Sequence, residues 1–150
     1  MERAGAWLNN AEPRSTEDRV MQLLGLQWVG MPVEQREREL LALQREDGGW
    51  AQTPWLASDA YATGQVLYAL HEAGMLASHE AYGRAVQYLA RTQQNDGSWH
   101  VSSRAPKFQP YFQSGFPYDD DQWISSAATA WAAMGMAYAI PATNIATARQ

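Results

Sequence analysis

The chain contains no cysteine, and that absence removes disulfides, thiolate nucleophiles and any zinc site with a Cys ligand. Histidine is scarce, and His71, His79 and His100 fall at no metal-ligating spacing such as His-Glu-x-x-His, so no metal site is expected. No Gly-rich phosphate loop and no Gly-x-Ser-x-Gly elbow is present, and no cofactor is expected. Basic residues are outnumbered, 11 Lys and Arg against 16 Asp and Glu, for a net charge of −5. That balance is the opposite of the basic stripe nucleic-acid binders carry, and excludes nucleic acid as the expected partner. Long apolar runs are missing too. The longest near-apolar stretch, Ala127 to Ile140, is shorter than the roughly 20 residues a bilayer span needs, so no transmembrane segment is expected. The opening MERAGAWLNNAEPR lacks the apolar centre of a secretory leader, leaving a cytoplasmic location as the default expectation.

What the chain does have is large rings. Seven Trp and seven Tyr occur in 150 residues that are 46% hydrophobic and only 18% charged, enough for one domain with a substantial core. The rings sit in a repeated frame. Gln44-Arg-Glu-Asp-Gly-Gly-Trp50 returns as Gln93-Gln-Asn-Asp-Gly-Ser-Trp99, every matched residue displaced by 49 positions, which marks a repeated supersecondary unit. In each copy Asp-Gly (Asp47-Gly48, Asp96-Gly97) supplies a sharp turn, and the Trp two residues on is an apolar anchor whose N–H needs a partner. Calcium is a poor reading of these two isolated Asp-Gly turns, which lack the other oxygen ligands of a loop site.

Helical periodicity surrounds the two turn words. Behind a polar lead, Ser15 or Thr16 caps a helix from about Glu17 to Val29 with Val20, Leu23 and Leu24 on its apolar stripe. Gly30 and Pro32 break it, and a second helix from about Val33 to Gln44 delivers the first word. Ser58 or Asp59 caps a third, running to about Ala73, that is apolar nearly all round and so expected to be buried on several sides. An amphipathic helix beginning at Ser78, with Tyr82, Ala85, Val86 and Leu89 facing inward, delivers the second word. A last apolar helix spans about Gln122 to Ala139, and aligning it with the third places Ile124 under Tyr61, Ala127 under Gly64 and Trp131 under Tyr68. The order is inner helix, outer helix, turn word, twice over, and then half a unit. The tail, from Ala142 to Gln150, is too short and too polar for another outer helix and turn word.

These Gln-x-x-Asp-Gly-[Gly/Ser]-Trp words resemble the QW repeats of squalene-hopene cyclases and the wider prenyltransferase and squalene-cyclase αα-toroid family. The resemblance covers roughly Ser15 to Ile140. It implies an all-α fold of paired inner and outer helices in a toroid-type arc of about two and a half hairpins, one domain over 1–150, with a structural role for Gln44, Asp47, Gly48, Trp50, Gln93, Asp96, Gly97 and Trp99. A closed toroid needs more hairpins than this. The open ends therefore call for a longer chain, a homo-oligomer that completes the ring, or the chain's own loops.

Between Trp50 and Asp59 lie eight residues, but between Trp99 and Gln122 there are 22, an apparent insertion of 14 within the loop 100–121. Its rings, Phe108, Tyr111, Phe112, Phe116 and Tyr118, and its prolines mark it as ordered, either a lid over a binding site or a plug for the open end of the arc. Asp119, Asp120 and Asp121 end the loop. The family's resemblance offers an alkene-protonating acid role for them, though Tyr118 stands where an Asp-x-Asp-Asp word would have its first acid, while their place before a helix offers ordinary capping. The sequence thus suggests a cyclase-like, partial or degenerate module that holds an apolar, isoprenoid-like molecule or a partner chain segment with Trp55, Tyr61, Tyr68, Phe108, Tyr111, Phe112, Phe116, Trp123 and Trp131. The alternatives are a squalene-type cyclase fragment activated when the ring is completed, its rings stabilising cations, and a glycan-binding module.

Overall fold

A computed structural model describes residues 2–106 and 112–140, and all the regular structure within them is helical. In chain order these are α1 (Glu2–Asn10), α2 (Thr16–Trp28), α3 (Glu34–Leu41), α4 (Ala60–Glu72), α5 (Glu80–Thr92), a 3-10 turn (Asp119–Asp121) and α6 (Gln122–Ala137). Helices α2, α4 and α6 form the inner layer, with α4 packed between the other two. Helices α3 and α5 lie outside it.

Local chemistry sets the helix starts. Ser15 accepts from the Asp18 N–H while the Asp18 carboxylate accepts from the Ser15 N–H, a reciprocal capping box at the head of α2. The Arg14 N–H donates to that same carboxylate and, with the Ser15 bonds, holds the Asp18 pKa below its ordinary value despite some desolvation. Asp59 caps α4 through the Ala62 N–H. The N-terminal lead proves to be helical, contrary to its reading as a polar lead. α1 places Leu8 against Gly25 of α2 and Gly5 against Val29 and Met31, and Arg36 of α3 donates to the Asn9 carbonyl. Gln22, buried in α2, donates to the Leu8 and Ala11 carbonyls and satisfies the end of α1. A helix of nine residues is too short to be stable alone, so it depends on these tertiary partners.

The two turn words are superposable in their hydrogen bonding. In each, the indole N–H donates to the carbonyl ten residues back, Trp50 to Leu40 at 2.7 Å and Trp99 to Leu89 at 2.9 Å. The Asp side chain accepts from the N–H two residues on, and the Gln amide donates to the Gly carbonyl, Gln44 to Gly48 and Gln93 to Gly97. Gly48 and Gly97 take φ of +85° and +86°, a region that side chains with a Cβ rarely enter. The Trp backbone N–H then donates to a threonine of the following inner helix, Trp50 to Thr63 and Trp99 to Thr129. This corrects the alignment of the inner helices. Thr63 lies 13 residues beyond Trp50 and Thr129 lies 30 beyond Trp99, so the second crossover is longer by 17 residues, and Thr129 rather than Ser126 is the counterpart of Thr63.

The inner layer is tightest between α4 and α6. A Cβ at Gly64 would lie 2.5 Å from backbone atoms of Trp131 and Ala132, and one at Gly135 would lie 2.8 Å from Leu67. The Tyr82 hydroxyl crosses from α5 to the Gly135 carbonyl at 2.6 Å, and burial pushes its pKa up to about 12. Gly64→Ala is therefore expected to cost about 2–3 kcal/mol, because backbone rather than a flexible side chain must move. Gly83→Ala, at a helical position with nothing near the added methyl, is expected to gain about 0.5–1 kcal/mol. Urea unfolding of the two variants reads both signs; equal midpoints would refute the close-contact account.

Candidate functional site

The long loop returns to the inner-helix starts, and its anchors are polar. Ser103 N–H and His100 Nε2 each approach the Asp121 carboxylate at 2.8 Å, and Ser102 to Ala105 pass over the end of α4. There Arg104 donates to Gln52 Oε1, Gln52 Nε2 donates to Asp59 Oδ2 at 2.8 Å, and Asp59 caps α4. On the other side Gln122, buried at the head of α6, accepts from the Ser114 N–H and donates to the Phe112 and Asp119 carbonyls. These bonds hold Tyr118 and Asp119 at φ of +82° and +42°, left-handed conformations that non-glycine residues adopt only under constraint.

The expected ligand set divides into separate groups. Tyr61 and Tyr68 share a face of α4, seven residues apart. Tyr68 meets Trp131 edge-on at 5.4 Å and Tyr138 at 6.1 Å, and Tyr138 stacks on His71 at 3.6 Å. Tyr61 instead donates to Glu17 of α2 at 3.0 Å and faces a cleft of about 430 Å³ with Trp123, Ile124, Gln52 and Arg104. Trp123 is 60% exposed and stacks on Phe112 at 6.3 Å. Phe116 lies 6.3 Å from Tyr118, whose ring lies 4.7 Å from His100. Trp55, 78% exposed on the first crossover, lines neither this cleft nor the adjoining one. Phe108 and Tyr111 lie outside the described residues.

A second cleft of about 280 Å³ shares Gln52, Ser102 and Arg104 with the first and reaches Asp59 and His100. The larger hollow, about 710 Å³, lies under α1 between Trp7 and Gln22, away from every residue singled out in the sequence except those of the α2 cap. Of the three acids, Asp119 and Asp120 are exposed. Asp121 is half-buried and engaged. Among the described residues no three His, Asp or Glu side chains come together to hold a metal ion, and no helix is long and apolar enough to cross a membrane. The participation of Gln52, Asp59, His100 and Arg104 is not visible in the sequence, since their contacts span 7 to 52 residues with no period.

Alternating inner and outer helices, each outer helix followed by a turn word whose indole is bonded back into it, define an αα-repeat protein of toroid type. The chain belongs to the squalene-hopene cyclase C-terminal domain family, whose sequence model matches residues 9–150. No curated protein matches it.

Burial raises the Asp59 pKa above its ordinary 3.8, against the bonds from Ala62 and Gln52 that oppose the shift, whereas hydrogen bonds from Ser98 lower that of exposed Asp96. A carboxyl with a raised folded-state pKa contributes stability below its unfolded pKa and loses it as pH rises through the folded one. The advantage of Asp59→Asn over wild type is thus expected to grow with pH from about 4 upward. Carboxyl-carbon NMR titration should place the Asp59 midpoint above those of Asp18 and Asp96. The reverse order would remove burial as the dominant influence.

Proposed function

We propose that this cyclase-family domain is a binding module which holds an apolar, isoprenoid-like molecule, or an apolar segment of a partner, against the rings along α4 and α6, and does not itself protonate an alkene. The observation that carries the reading is the engagement of Asp121, whose carboxylate accepts the Ser103 N–H and pairs with the His100 ring, so that it is tied to the loop and not turned toward a ligand space. The clefts that its partners Ser103 and His100 line are open to solvent, whereas carbocations need a dry enclosure. Asp119 to Asp121 then anchor the loop to α6. The exposed faces of Phe112 and Trp123, with Tyr61 and Ile124 beside them, supply the apolar contact.

Glycan binding is the second reading, favoured by the groups that surround Trp123: Glu17, Gln52, Arg104 and the Tyr61 hydroxyl place donors and acceptors around an exposed indole. An enclosed cyclase site formed only when further repeats complete the ring is the third.

Titration with farnesol is expected to shift the intrinsic Trp emission to the blue. Trp123→Ala should weaken binding about ten-fold, the scale of roughly 1.4 kcal/mol for removing a partly buried ring, while Asp120→Asn and Asp121→Asn leave the affinity within about two-fold. Turnover of a polyprene that vanishes in Asp121→Asn would replace this reading with the cyclase one. Retention on polysaccharide gels with no farnesol response would favour the glycan reading.

A further inference from the structure

Acidic side chains outnumber basic ones in this chain, yet three of its 11 Lys and Arg residues open on one cleft. The cleft, about 320 Å³ in volume, lies between the head of α2 and the first turn word, and Arg14, Arg19 and Arg45 line it with Ser15, Thr16 and Thr53. No carboxylate lines it among the described residues. The arginines come from separate places: Arg14 precedes the α2 cap, Arg19 stands near the start of α2, and Arg45 belongs to the turn word. Folding, not a basic run in the sequence, brings them together.

The acids that could neutralise them are occupied elsewhere. Asp18 accepts from the Arg14 and Ser15 backbone N–H groups, each at 2.9 Å. Glu39 accepts from Gln35 and Arg36 and reaches Arg19 only at 3.7 Å, an ion pair too long to be a hydrogen bond. Arg45 donates one Nη2 proton to the Pro54 carbonyl at 2.9 Å, which holds its guanidinium beside the cleft while most of its N–H donors are still to be used. Like charges gathered in this way repel unless an anion joins them. The cleft also holds an unanswered hydroxyl. Thr53 Oγ1 is shielded from solvent and has no hydrogen-bond partner, whereas the hydroxyl of Thr16 is satisfied by the Ala51 carbonyl at 2.6 Å. A buried hydroxyl in that state is costly, and an acceptor seated in the cleft removes the cost.

Guanidinium forks match the paired oxygens of phosphates and carboxylates. Three arginines with a single distant carboxylate among them suit a dianion better than a monoanion, and the positive end of the α2 dipole acts in the same sense. We propose that this cleft binds a phosphoryl group, either free phosphate or the head of a phosphate monoester, with Arg14, Arg19 and Arg45 donating to its oxygens and Thr53 supplying a hydroxyl. The site shares no residue with the clefts beside Tyr61 and Asp59, so it is independent of the apolar binding proposed there.

Amide NMR of the full chain tests this, with sodium phosphate and methyl phosphate titrated separately at mildly alkaline pH. Saturable shifts are expected at Ser15, Thr16, Arg45 and Thr53, with a Kd on the order of 1 mM or tighter. Arg19→Gln and Arg45→Gln should each weaken binding about ten-fold, Arg19→Lys should recover only part of the loss, and Thr53→Val should weaken it about three-fold. Arg38→Gln makes the same charge change at an exposed position of α3 and is expected to leave the affinity within about two-fold. Tighter binding of methyl phosphate supports the site with an ester head as its ligand, and tighter binding of phosphate supports it with the free ion. Absence of saturable shifts at these amides up to about 50 mM of either anion would overturn the proposal. So would equal weakening by Arg38→Gln, which marks general charge attraction, or acetate binding as tightly as phosphate, which assigns the cleft to carboxylates.

Discussion

A buried indole whose N–H must be satisfied is the constraint on which this fold rests. Trp50 and Trp99 are both removed from solvent, and an unpaired N–H at that depth would cost on the order of 1–3 kcal/mol. Each finds the carbonyl ten residues behind it, near the end of the preceding outer helix, where carbonyls lack helical partners. One bond therefore closes the turn, ends the outer helix and brings the backbone N–H of the same Trp to a threonine of the following inner helix. The Asp-Gly turn, the Gln amide on the Gly carbonyl and the left-handed glycine are the means of bringing the ring to that carbonyl.

With the hairpins fixed in this way, the remaining freedom lies in the crossovers, and the chain uses the second one to build a polar bridge over the starts of α4 and α6. Arg104, Gln52 and Asp59 connect loop to inner helix, and His100 and Asp121 connect the turn word to the head of α6. The described rings of the loop, Phe112, Phe116 and Tyr118, sit beside these bonds, against Trp123 and His100. Binding at this end would be to a surface held rigid by charge-assisted bonds, with Phe112 and Trp123 as its apolar part.

Much of the architecture is legible in the sequence because it is local or periodic. The 49-residue displacement, the Ser15 cap and the Gly30 and Pro32 break each depend on a few consecutive residues, and each has its counterpart in the structure. What escaped depends on distant partners. Helix α1 needs Gly25, Met31, Gln22 and Arg36 to exist. The placement of α6 depends on which hydroxyl meets the Trp99 N–H, and apolar matching alone, which paired Tyr61 with Ile124, cannot sense a hydroxyl. The candidate binding rings read as one set from their abundance. The structure disperses them because Tyr61 is drawn to Glu17, and Tyr68 to Trp131 and Tyr138.

Helix α1 gives the arc a direction. It lies over the front of the first hairpin, filling the space beside Gly5 and Gly25 and drawing Arg36 onto its last carbonyls, while the far side of the second word carries no such cover among the described residues. Any surface that came to occupy the place of α1 would have to lift Leu8 from Gly25 and Gly5 from Met31 and release Gln22 and Arg36 from their carbonyl partners, so contact on that face competes with the chain's own helix.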